Sequence, residues 1–164
     1  SLMDGLTLSA SYTPSDGTSE VESSSDYGLK YTGIEGLTIG AGAGEDNSAA
    51  ASIDLTNMYV KYTMDAFSVG YQASEADSET ANADKDFQAI GLSYAVSEDL
   101  SVSINSSTIE FENSSLSDQE ATGFGISYTM GSMTLAGTHN SVDNVAGTST
   151  SDISGYEVAL SFAF

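Results

Sequence analysis

His139 is the only histidine in the chain, with Asp143 four residues beyond it and Asp152 across a polar stretch. A histidine oriented by a carboxylate could supply the acid–base half of a hydrolytic site, and serines are plentiful. No GxSxG or other ordered nucleophile motif accompanies it, so no catalytic residue is assigned and no enzyme is expected. The carboxylates are the larger group. Fourteen of them, among them Asp16, Glu20, Glu22, Glu45, Glu75, Asp86, Glu120 and Asp152, fall in or beside long Ser-, Asn- and Gly-rich stretches, whereas Asp4, Glu35, Asp65, Glu98 and Asp99 sit at short turns. Carboxylates gathered at one end of a molecule focus a negative potential and enrich cations there. They could also hold Ca2+ or Mg2+ through oxygen ligands, but no loop carries an EF-hand or a glycine–aspartate nonapeptide pattern, so no metal site and no cofactor are assigned. Solubility and mutual repulsion are the simpler reading of the same residues.

Composition excludes other functions. With 24 acidic residues against three lysines and a net charge of -21, nothing could neutralise phosphates, and nucleic-acid binding is not expected. Nine tyrosines, six phenylalanines and a regular apolar pattern argue against the disorder that such acidity often brings. No cysteine is present, so there is no disulfide framework. No apolar run approaches the ~20 residues of a transmembrane helix. The opening Ser1-Leu2-Met3-Asp4-Gly5 does not read as a signal peptide; it matches the chain's own turns and suggests missing upstream hairpins.

One pattern recurs five times: "YGLKYT" (27–32), "MYVKYT" (58–63), "IGLSYA" (90–95), "FGISYT" (124–129) and the terminal "VALSFA" (158–163). After each of the first four comes a short turn and a second alternating run. The period within each run is two, which predicts strands. Ten strands joined alternately by tight turns and longer loops predict an up-and-down antiparallel meander. Counting back from Tyr31, Tyr62, Tyr94, Tyr128 and Phe162, the even positions are apolar in every strand and the odd ones small, polar or charged in nearly every strand, Tyr59 being the exception. A soluble sandwich gives the same alternation. Two features favour a membrane barrel instead. The five aromatics recur at one height beside the short turns, as an interfacial belt does, and short turns all lie at one end with long loops at the other. The expected fold is therefore an all-β transmembrane antiparallel barrel, residues 1–164 forming a single domain. One irregularity is expected: in "INSSTIEF" (104–111) the apolar parity switches from Val102 and Ile104 to Ile109 and Phe111, which predicts a β-bulge.

These hairpins and the ending "GYEVALSFAF" (155–164) resemble the C-terminal part of a Gram-negative porin of the general, trimeric kind, including the acidic porins of marine α-proteobacteria. The resemblance implies a ~16-stranded barrel of which ten strands are present, though a complete ten-stranded barrel of other function is a rival. It also implies a water-filled channel for passive diffusion of small hydrophilic solutes, cation-preferring by its charge, in the outer membrane. The implied partners are membrane lipid and lipopolysaccharide, further copies in a homotrimer, and the barrel-insertion machinery. That machinery would read Tyr156, Val158, Leu160, Phe162 and Phe164. Lys30 and Lys61 occupy equivalent odd positions in adjacent repeats, with Ser93 and Ser127 at the same place later. Asp26 and Glu157 share their parity, four residues toward the loops. These six are the expected pore-lining residues. An acidic, adhesin-like soluble or surface-attached β-domain binding through its loops is the reading from another class.

Overall fold

The computed structural model describes residues 3–15, 17, 22–47 and 51–163. Asp16, Glu20 and Phe164, singled out above, lie outside the described residues. Ten strands follow one another: β1 (Leu6–Thr13), β2 (Ser24–Ile34), β3 (Leu37–Asp46), β4 (Ile53–Met64), β5 (Phe67–Ser78), β6 (Lys85–Ala95), β7 (Leu100–Phe111), β8 (Gln119–Met130), β9 (Met133–Asp143) and β10 (Ile153–Phe162). They form a single antiparallel sheet in sequence order.

The tight turns are set by residues that accept a left-handed backbone. Glu35-Gly36 joins β2 to β3 with Ile34 opposite Leu37, and Gly36 has φ +74 with the Thr63 carbonyl oxygen where a Cβ would lie. Asp65-Ala66 joins β4 to β5 with Asp65 at φ 49, and Gly131-Ser132 joins β8 to β9 with Gly131 at φ 60. Positive φ at the first loop position, as at Asp65 and Gly131, matches the twist of the flanking strands, whereas at the second position, as at Gly36, it accompanies the local register shift between β2 and β3. The turn then fixes the register, which runs unbroken from Met64↔Phe67 to Ile53↔Ser78 in the β4–β5 pair.

One expectation changes here, and one rival falls. The register shifts between Tyr31 and Ile34, where β2 meets β3 near its turn, and not near 104–111. There the ladders from Lys85↔Phe111 to Ala95↔Ser101 and from Leu100↔Tyr128 to Ile109↔Gln119 are continuous. With no residue inserted, Ile109 and Phe111 stand on the opposite face from Val102 and Ile104. Secondly, among the described residues no ladder joins β1 to β10, so these ten strands form an open sheet, not a closed ten-stranded barrel.

Nor is there a core. Among the described residues no apolar side chain is buried. The chain exposes 11043 Å², against about 7,700 Å² for a compact monomer of its mass. A soluble sandwich would have closed that gap by packing two apolar faces together.

Candidate functional site

Paired residues in an antiparallel ladder point to the same side of the sheet, so the registers assign every strand residue to one of two faces. β8 gives the clearest picture. Gln119, Ala121, Gly123, Gly125, Ser127 and Thr129 are partly covered, while Glu120, Thr122, Phe124, Ile126, Tyr128 and Met130 are exposed. Small and polar residues are sheltered and large apolar ones bare, the reverse of a water-soluble strand.

On the apolar face Tyr31, Tyr62, Tyr94, Tyr128 and Phe162 each lie within three residues of the turn-side end of a strand. They do not touch one another. Tyr94 stacks on Phe67 with centroids 4.4 Å apart, Tyr62 lies opposite Leu37 and Val69, and Tyr128 opposite Leu100 and Leu135. Phe67, the first residue after its turn, is an aromatic of this row that the repeat alignment missed. Beyond them come Leu29, Val60, Leu92, Ile126 and Leu160, each at least 39% exposed.

The apolar face stops at a second row. Asp54, Asp86 and Glu120 stand eight residues loopward of Tyr62, Tyr94 and Tyr128. Glu45, Asp54 and Asp77 are direct cross-strand neighbours, as are Glu75, Asp86 and Glu110, and Glu120 faces Asp143. Eight residues span ~27 Å along a strand, or roughly 21 Å across a membrane at the ~40° tilt of such barrels. That is close to their ~25 Å apolar band. Six of these eight belong to the carboxylates expected to ring one mouth, and Asp54 and Glu110 join them; all stand on the apolar face. Like charges directly opposite are unfavourable, and no lysine shares their face.

The other face is built from small residues. Gly28, Gly40, Gly70, Gly91, Gly123 and Gly125 all belong to it. At Gly40 the Tyr59 ring occupies the place of a Cβ, whereas no atom beyond the neighbouring residues comes nearer than 3.8 Å at Gly70 or Gly91. A hollow of about 450 Å³ lies there, with Lys61, Gln72, Ser93, Ser103 and Asn105 among its walls. Lys30 lies opposite Thr7 and Gly40, and Lys61 opposite Thr38 and Gly70, so one strand separates the two lysines. Ser93 pairs with Ser68 and Ser103, while Ser127 pairs with Ser101 and Ala136. Asp26 accepts a hydrogen bond of 2.7 Å from Ser11 Oγ, and Glu157 lies opposite Thr138, far across the sheet from both lysines. Two charged residues of this face were missed: Lys85, opposite Ala76 and Phe111, and Asp46, opposite Ile53. Extending the parity count past the repeat motif would have found both. The strand wall thus carries three bases and three acids.

The histidine arrangement does not assemble. His139 belongs to the apolar face, opposite Phe124 and Tyr156, with its ring centroid 4.3 Å from that of Tyr156. Asp152 instead accepts a hydrogen bond from the Asn144 amide.

A sheet with an apolar, aromatic-edged face and a glycine-rich polar face is the wall of a membrane barrel. The family model for Gram-negative porins matches residues 2–111. The chain belongs to the Gram-negative porin family. Its place is the bacterial outer membrane. No curated protein shows a significant sequence match. In fold this porin is similar to the anion-selective porin of Comamonas acidovorans, with a TM-score of 0.84 at 12% identity, covering 99% of this chain and 57% of that one. It is also similar to in-vitro folded OmpT, an outer membrane protein of Vibrio cholerae, with a TM-score of 0.71 at 14% identity, covering 98% and 61%. The porin chain described here therefore spans about three fifths of either structure.

Proposed function

We propose that the full-length protein is a passive diffusion channel for small hydrophilic solutes, and that these ten strands are part of a larger barrel of roughly 16. The observation that carries this reading is the inversion of the two faces: large apolar residues exposed, glycine, serine and alanine sheltered. A narrow barrel fills its lumen with bulky side chains, whereas small residues suit a wide aqueous one. On this reading Lys30, Lys61, Asp26, Glu157, Ser93 and Ser127 line the pore, with Lys85 and Asp46 beside them. Tyr31, Tyr62, Tyr94, Tyr128 and Phe162 form the belt at the short-turn interface, and the carboxylate row stands at the opposite headgroup level, next to lipopolysaccharide. Homotrimeric assembly, and recognition of Tyr156, Val158, Leu160, Phe162 and Phe164 by the barrel-insertion machinery, belong to the same proposal; the likeness of the terminal strand to porin endings supports it.

The proposed selectivity is a modest preference for cations. The anion selectivity of the Comamonas protein is not carried over, because this chain has no arginine and a net charge of -21. The preference is modest because the strand wall is balanced and the carboxylate row faces outward. It rests on loop carboxylates such as Glu22, Glu79, Asp84, Glu112 and Asp118. The test is conductance of the full-length protein in planar bilayers. Stepwise, ohmic channels with a small cation-directed reversal potential are expected; a folded barrel that conducts no ions would overturn the channel reading.

A further inference from the structure

A water-filled lumen gives no reason for large apolar side chains on the polar face, yet several gather at its loop-side end. Two adjacent rows cross β4 to β7 there. One runs Leu55, Ala76, Lys85, Phe111; the next runs Asn57, Ser74, Phe87, Ile109. Phe111 already has a cover, since Gly147 of the 3-10 turn between β9 and β10 is packed against it and Leu116, leaving 3.2 Å between the Phe111 ring and a hypothetical Cβ. Leu55, Phe87 and Ile109 have no such cover among the described residues. They bound a hollow of about 450 Å³ whose lining also includes Lys85 and the strand segment at Glu75, a residue whose side chain belongs to the opposite face.

The polar groups at this hollow are few and well placed. Asn57 Nδ2 donates to Ser74 Oγ at 2.6 Å, which leaves the Asn57 carbonyl and the Ser74 hydroxyl hydrogen available. The Lys85 ammonium lies 6.0 Å from the centroid of the Phe111 ring. It is the only cationic side chain on the loop-side half of the sheet. Lys85 and Phe87 are two residues apart on one strand face, about 7 Å. An occupant must therefore combine an apolar, ring-sized body with a negative charge at one end. The carboxylates Glu75, Asp86 and Glu110 on the opposite face of the same strands disfavour a second negative charge.

Resting on the channel reading above, we infer that this hollow is a binding site in the lumen for aromatic monocarboxylates. Their ring lies against Phe87, Ile109 and Leu55 and their carboxylate reaches Lys85. A solute held in this way dwells in the mouth and interrupts the ion current, so binding is read as block.

The experiment measures KCl current through the full-length protein in planar bilayers while benzoate, neutral benzamide or acetate is added. Benzoate is expected to block at concentrations about tenfold or more below acetate, because only benzoate buries a ring. Lys85→Gln is expected to weaken benzoate block ~3–5-fold, the scale of an exposed ion pair, and to leave benzamide unchanged. Phe87→Ser and Ile109→Ser are each expected to weaken both aromatic solutes, and Leu55→Asn provides an independent variant should either fail to assemble. Benzoate no more effective than acetate, as when another part of the full-length chain covers the hollow, overturns the inference. So does benzoate block that survives all three apolar substitutions. Absence of KCl current in the unsubstituted protein would count against the channel reading instead.

Discussion

Ile90 stands four residues from Tyr94 on one side and four from Asp86 on the other, on the apolar face. It therefore lies near mid-bilayer if the aromatic row and the carboxylate row mark the two interfaces. Its neighbour Ala89 is on the polar face, opposite Gln72 and Ser107. Replacing each with arginine places the same charge one residue apart, in lipid or in the aqueous lumen. Ile90→Arg should cost ~2–4 kcal/mol, which is roughly 25- to 700-fold in the folding equilibrium. Ala89→Arg should stay within about 0.5 kcal/mol, as a solvent-facing substitution does. Asp86→Arg, eight residues above the belt, should cost under ~1 kcal/mol and relieve repulsion from Glu75 and Glu110. The assay is denaturant unfolding of the full-length protein in lipid vesicles, followed by the β-sheet circular dichroism signal, since the described chain has no tryptophan. If Ala89→Arg costs as much as Ile90→Arg, or if the cost does not fall from Ile90 to Asp86, the two-faced membrane reasoning is wrong.

Further outcomes are expected. Replacing Phe164 with a polar residue should lower the amount of barrel reaching the outer membrane while leaving the stability of barrel folded in vitro within ~0.5 kcal/mol, as fractionation and vesicle unfolding would register; normal abundance refutes it. The reversal potential should indicate cation preference at low salt that fades as the screening length drops below ~8 Å above ~0.15 M. Replacing Lys30 and Lys61 with serine should strengthen that preference, whereas neutralising Asp54, Asp77 and Asp86 should leave it unchanged because they face away from the lumen. Gly36→Ala should destabilise by ~1–2 kcal/mol, since its φ of +74 and the Thr63 oxygen both oppose a Cβ; an unaltered unfolding midpoint contradicts this.

The period-two pattern, the turns and the two faces were legible in the residues alone. The reason is local: successive side chains of a strand alternate, and a two-residue turn accepts few residue types. Tyr31, Tyr62, Tyr94, Tyr128 and Phe162 could therefore be aligned without coordinates. What depended on other strands could not be read in this way. A parity switch at Ile109 and Phe111 is equally a bulge or a true change of face, and only the continuous register with β6 and β8 decides between them. The acids behave alike. Beside a loop, Asp86 and Lys85 are merely adjacent charges, but pairing with β5 and β7 sends one to the row that includes Glu75 and Glu110 and the other to the row of Ala76 and Phe111. Sequence determined how much charge the chain carries and at which end. The sheet decided which carboxylates face outward and which share the wall with lysines, because hydrogen bonding between strands that are distant in sequence fixes the direction of each side chain.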